Sequence, residues 1–170
     1  MRKLVPFLLF TILLIASCEN FFTSSPFAAF RRDPANMSED QKRAYARDVL
    51  ASGDQAAMEE AYGDLKDSDD PETQLLAADL AIGAVGLDAA FIGAVSDLVS
   101  GADPEATIDA AIESFDDADF VMLAEAAALV DEADASTTPT PEQYLNAAVA
   151  MMAVAANQNG GATGLDTATD

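Results

Sequence analysis

Residues 70–86 read Asp-Pro-Glu-Thr-Gln-Leu-Leu-Ala-Ala-Asp-Leu-Ala-Ile-Gly-Ala-Val-Gly. Asp70 can accept hydrogen bonds from the first free N–H groups of a helix, Pro71 suits the first helical position, and Gly86 suits the stop. Between these signals Leu75, Ile82 and Val85 fall on one side of a helix, and Leu76 and Leu80 on another. A helix at a protein surface carries one apolar stripe, so two stripes require neighbours on both sides. Alanine fills most remaining positions, combining high helix propensity with close helix approach. The stretch therefore predicts a helix packed between neighbours in an all-α fold.

The same punctuation recurs outward in both directions. Ser38-Glu39-Asp40-Gln41 reads as a capping box, and Asp103-Pro104-Glu105 and Thr140-Pro141-Glu142-Gln143 repeat the acceptor-proline start. Gly53-Asp54, Gly86-Leu87-Asp88 and Asp116-Asp117 mark stops or turns midway. The division predicts helices over 39–52, 54–66, 71–85, 88–100, 104–115, 117–133 and 141–157, about seven in all, arranged as antiparallel pairs. Met58, Ala61, Tyr62 and Leu65 form one stripe, Ile108, Ala111, Ile112 and Phe115 another, and Phe91, Val95, Leu98 and Val99 a looser third. No segment alternates as a β-strand would for more than a few residues.

Two helices in each unit of about 34 residues resemble a tetratricopeptide-like solenoid. The spacing covers residues 38–133, and the motif-like part covers 53–71, with Gly53-Asp54, Ala57, Tyr62 and Asp70-Pro71. The large aromatic and Leu-Gly usual in the first helix of such a repeat are missing, where the chain has Ala44, Tyr45, Val49 and Leu50. No ligand positions carry over, and a related helical bundle fits the same pattern. In either case the final helix is expected to cap the array. Its stripe Leu145, Ala148, Val149, Met152 and Ala156 would meet Ile108, Ile112, Phe120 and Leu123. The competing expectation leaves Tyr144, Met151 and Met152 exposed as an adaptable surface.

The N-terminus has a different character. Arg2 and Lys3 precede an apolar run from Leu4 to Ala16, the pattern of a secretory signal and too short for a span of about 20 apolar residues. Ile15-Ala16-Ser17-Cys18 resembles the lipobox of bacterial lipoproteins, and Cys18 is the sole cysteine. The resemblance implies cleavage of residues 1–17, acylation of Cys18 with palmitate-type chains, and attachment to a membrane of the cell envelope. Glu19 rather than Asp follows, which under the enteric sorting rule leans toward the outer membrane. Residues 18–37 read as anchor and linker, 38–157 as the helical-repeat domain, and 158–170 as a flexible tail. The linker carries Phe21, Phe22, Phe27 and Phe30 with Arg31 and Arg32; Phe27, Phe30 and the arginines are expected to fold onto the body.

Charge and composition restrict the chemistry. The 170-residue chain has a formal charge of −22, which becomes two units more negative without Arg2 and Lys3, and Lys66 is its last basic residue. From Asp67 to Asp170 there are 21 acidic side chains and no basic one. Such a surface repels nucleic acid and anionic headgroups, leaving basic proteins, cations or plain solvation. With no histidine and its one thiol assigned to the anchor, the chain offers no imidazole or free thiolate for catalysis, metal or cofactor. Asp67-Ser68-Asp69-Asp70 suggests calcium only faintly, because Pro71 and Glu72 break the loop pattern, and a turn plus helix cap explains it. Glu105, Asp109 and Glu113 form an acidic stripe without a base. The sequence thus points to a non-enzymatic, lipid-tethered module that holds another envelope protein. The alternative is a periplasmic accessory of a solute transporter, binding a small molecule within the helix array.

The charge excess has a measurable consequence. The melting temperature should rise as sodium chloride is increased from low to near-molar concentration, because screening relieves self-repulsion. A flat or falling melting temperature would show the charges to be already compensated.

Overall fold

The computed structural model describes residues 34–161. After a 3-10 turn at Pro34–Asn36 come seven α-helices: α1 (Glu39–Ser52), α2 (Gln55–Leu65), α3 (Pro71–Val85), α4 (Leu87–Val99), α5 (Pro104–Glu113), α6 (Asp117–Asp134) and α7 (Pro141–Gln158). No strand occurs among the described residues, so the body is all-α, with helices packed on one another. Cys18, the signal segment, the linker phenylalanines and Arg31 and Arg32 lie outside the described residues, as does the tail beyond Gly161.

The helix starts follow from their capping side chains. Asp70 Oδ2 accepts from the Thr73 N–H at 3.0 Å, Asp103 Oδ1 from Ala106 at 3.0 Å, and Asp54 Oδ1 from Ala56 and Ala57 at 3.1 and 3.2 Å. Each supplies an acceptor to N–H groups that no preceding turn can satisfy. The start of α3 is also tied to α1. Arg43 lies 2.9 Å from Asp70 and 3.2 Å from Glu72, while Ser68 Oγ donates to Glu39 at 3.0 Å. Burial raises the Asp70 carboxyl, but Thr73 and Arg43 outweigh it and hold its pKa below the usual value.

The two apolar sides of α3 are covered as its sequence requires. It packs against α1, α2, α4, α7 and, most extensively, α6. Leu75, Leu80 and Ile82 are buried, and Ala77, Ala78 and Ala81 are fully shielded from solvent. Each large aliphatic side chain so buried contributes about 1.5–3 kcal/mol. The facing surfaces are equally thin, with Ala46 on α1, Ala61 on α2 and Ala126 on α6 inaccessible. Polar contacts reinforce the α2–α6 side: the Tyr62 hydroxyl and Lys66 Nζ both donate to Glu125 Oε2, the lysine at 2.9 Å. Burial first, and then this carboxylate, push the Tyr62 phenol upward.

Of the two architectures left open by the spacing, these contacts are those of a helical bundle around α3. The unit 71–85/88–100 differs from a hairpin: α3 and α4 are bent by 55° across Gly86, and α4 packs chiefly on α5. Gly86 serves as the C-cap of α3 and the N-cap of α4, with φ 75°, a value that favours glycine. The final helix also differs in register from the expected cap. Leu145 is 59% exposed, and the buried face of α7 is Ala150, Val154 and Ala156, packed chiefly toward α6. Tyr144, Met151 and Met152 are exposed, as in the competing expectation. The reason is steric: α6 presents Ala126, Ala127 and Val130 as buried small residues, and the alanine side of α7 fits against so thin a surface better than Leu145 would.

A pair of truncations locates the core. Leu80→Ala should lower the unfolding free energy by about 2–5 kcal/mol, the cost of a cavity at an inaccessible leucine. Leu98→Ala on α4 should cost less than about 1.5 kcal/mol, because its side chain already meets solvent. Urea denaturation of both variants measures the contrast, and equal losses would place α4 in the core.

Candidate interaction surface

The most apolar helix is the least buried. In α4 only Leu87 is fully covered, while Phe91 is 49%, Ile92 68% and Val99 84% exposed. Leu87, Phe91, Ala94, Val95 and Leu98 fall on one side of the helix, and Ile92 and Val99 continue the apolar surface around it. Ile108, Ala111 and Ile112 of α5, with Phe115 just beyond its end, form the facing stripe. These stripes are the ones legible in the sequence, but they do not close on each other. Together with Val149, Met152, Ala153 and Ala156 of α7 they line a groove of about 320 Å³. Fourteen residues line it and none is polar, so no hydrogen bond fixes what occupies it.

Two short connections hold this arrangement. Ser100–Asp103 joins α4 to α5, with Gly101 at φ 89° and the Asp103 cap starting the second helix. Phe115 then stacks edge-on against Phe120 of α6, with centroids 5.9 Å apart, and fixes the end of α5 to the core. The α7 wall is set by one side-chain amide. Gln143 Oε1 accepts from the Thr140 N–H at 2.9 Å, and its Nε2 donates to Asp79 Oδ2 on α3 at 2.9 Å. Thr140-Pro141-Glu142-Gln143, expected as an acceptor-proline start, is also a capping box and a tie across the bundle, which spacing alone could not disclose. Burial is the main cause that raises the Asp79 carboxyl to about 6; the Gln143 bond opposes it, and Glu142 and Asp88 add to it.

The acidic groups singled out in the sequence are placed around this framework. In the 67–70 run, Ser68 is buried and its Oγ accepts from the Asp70 N–H at 3.2 Å, so the run forms a turn leading into the α3 cap. Among the described residues no group of three or more carboxylate, cysteine or histidine side chains is gathered where it could hold a metal ion. Glu105, Asp109 and Glu113 run along one flank of the apolar stripe of α5, with Glu105 and Glu113 exposed. Asp109 is half-buried, and its Oδ1 would lie 2.5 Å from a Cβ placed on Gly161, just beyond α7. On α4, Asp88 and Asp97 occupy the two edges of the groove-facing stripe. No single helix among the described residues is long and apolar enough to cross a membrane.

Other hollows have mixed linings. One of about 500 Å³ between α6 and α7 includes Asp131, Asp134 and Tyr144, and one of about 720 Å³ beside Gly86 includes Asp54, Gln55 and Asp88. Neither gathers a nucleophile with a base. Comparison of the chain with protein-family models, curated proteins and solved structures finds no match.

The half-buried carboxyl of Asp79 on α3 makes stability depend on pH. Asp79 titrates near its ordinary value of 3.8 when unfolded and near 6 when folded, so folding favours its protonated form. Its contribution is full below about pH 4 and is lost as pH rises through about 6. Asp79→Asn keeps the acceptor for Gln143 and removes this dependence. The variant's stability relative to the parent should therefore rise by about 2 kcal/mol between pH 4 and pH 8, measured by urea denaturation. A constant difference would mean that water reaches the carboxylate freely.

Proposed function

We propose that this chain is a membrane-anchored bacterial lipoprotein whose helical body acts, without catalysis, as a protein-interaction module in the cell envelope. The observation that carries the interaction role is the exposed, wholly apolar groove between α4, α5 and α7. A soluble body rarely leaves so large a share of one helix uncovered unless something docks there. The anchor rests on the sequence: Cys18 sits at the end of the lipobox-like Ile15-Ala16-Ser17 and after a signal-like segment. Lipidation at two or more chains gives stable attachment, leaving the body free to present its surface. The attachment favours the outer membrane, and the acidic body argues against nucleic acid as a partner.

A second reading is supported by the size of the groove. A cavity of about 320 Å³ lies in the range of small-ligand sites. In that reading the chain accompanies a solute transporter and carries an apolar small molecule. An open groove without a polar orienting group suits a macromolecular face better, because small-ligand sites ordinarily add a few polar contacts for specificity.

Cys18→Ser tests the anchor. The variant should remain helical by circular dichroism yet leave the membrane fraction after cell breakage. Full membrane retention would remove the lipoprotein assignment. Co-purification of the acylated parent from solubilised membranes should recover one protein in stoichiometric amount, and its loss from Phe91→Asp would assign that contact to the groove.

A further inference from the structure

The groove and its surroundings restrict the chemistry of the occupant more closely than burial alone. All four basic side chains between Met37 and Gly161 lie within residues 42–66. Lys42 pairs with Glu39, Arg43 with Asp40, Asp70 and Glu72, and Lys66 with Glu125. Helices α3 to α7 carry none, so no cation lies on the three helices that form the groove. Asp97 on α4 and Glu105, Asp109 and Glu113 on α5 flank the stripes that line it, while Asp88 lines the neighbouring hollow beside Gly86. Acidic side chains, and no basic ones, thus flank the apolar stripes of both α4 and α5.

We propose that the groove receives an amphipathic helix of a partner protein, with apolar side chains at i, i+3, i+4 and i+7 and Lys or Arg on the flanks. The proposal rests on the interaction-module reading and names its partner's chemistry. From Leu87 to Leu98 the trough is about 17 Å long at 1.5 Å per residue, the length of about three helical turns. Such a helix would cover the exposed faces of Phe91, Leu98 and Ile108 while its bases reach the acidic borders. A fatty acid or an anionic membrane surface would bring negative charge against the same borders. A strand would not match, because its side chains reach one face only at every second residue and the trough has no free backbone edge to pair with.

Fluorescent peptides of about 14 residues test this on the full chain carrying Cys18→Ser, which needs no detergent. One peptide has a Leu/Phe face flanked by lysines, one the same face flanked by glutamates, and one the lysine composition scrambled to abolish the apolar face. Anisotropy should show the lysine-flanked helix binding at least about tenfold more tightly than either control at low salt, with the advantage shrinking as salt is added. Phe91→Asp should abolish that binding although it makes the protein more negative, and Ala94→Trp should weaken it by filling the trough. Val121→Asp, at an exposed position outside the groove, should bind as the parent does. Circular dichroism establishes that each variant is folded.

Equal binding of the lysine- and glutamate-flanked helices would overturn the basic-partner proposal while leaving a docking groove in place. Binding of the scrambled peptide, or binding unaffected by both groove substitutions, would reduce the effect to general attraction by an acidic protein and overturn it. Failure of every peptide together with saturable binding of a neutral acyl probe lost in Phe91→Asp would also overturn it, and would transfer the groove to the solute-carrying reading. The interaction-module reading itself falls separately, if no protein accompanies the acylated parent.

Discussion

Covering α3 on opposite sides is the constraint on which the rest of the bundle depends. A helix surrounded by others can be approached closely only if the facing side chains are short. Ala77, Ala78 and Ala81 on α3, with Ala46, Ala61 and Ala126 opposite, satisfy that requirement. The few large residues, Leu75, Leu80 and Ile82, then fill the spaces between neighbouring helices rather than separating them. Thin contacts also set the register of α7, whose alanine side is the one that reaches α6. The polar ties at Arg43–Asp70, Tyr62–Glu125 and Gln143–Asp79 join elements already held by this packing.

Much of this was legible because it is local. The cap at Asp70, the proline starts and the double stripe of α3 depend on residues a few positions apart, and each helix boundary falls within two residues of its expected place. Destination was harder to read than periodicity. The α4 and α5 stripes have the spacing of core faces, yet they border a groove, since a stripe does not state what covers it. Two signals bear on this: the apolar surface of α4 extends past one stripe through Ile92 and Val99, and α5 has only 10 residues with which to cover it. The Leu145 register was misleading for a related reason. Leucine dominates any hydrophobic pattern, but an alanine face wins where the opposing helix leaves little room.

Charge and burial are segregated along the chain in the same sense. The N-terminal part, α1 to the end of α2, holds the bases and pairs Lys42, Arg43 and Lys66 with nearby carboxylates, including the α3 cap and Glu125 of α6. The C-terminal part holds the exposed apolar helix and acidic side chains with no base on the same helices. Self-repulsion there is tolerated because the charges lie on solvated faces, where screening is effective. The exception is Asp79, a half-buried carboxyl on α3 that accepts from a single amide of α7. That placement couples the seat of the groove's third wall to proton concentration.

Gly86 gives the molecule a lever. One residue ends α3 and begins α4, and no side chain caps the second helix at that joint. With 13 residues, α4 is an arm of about 20 Å whose direction is set by one pair of backbone dihedrals. A rotation of about 10° at the pivot displaces its far end by about 3 Å, comparable to half a helical pitch. The direction of α4, and with it one wall of the trough, is thus set at a single residue. Aperture, in this architecture, is an angular property of residue 86 rather than a property of the side chains that line the opening.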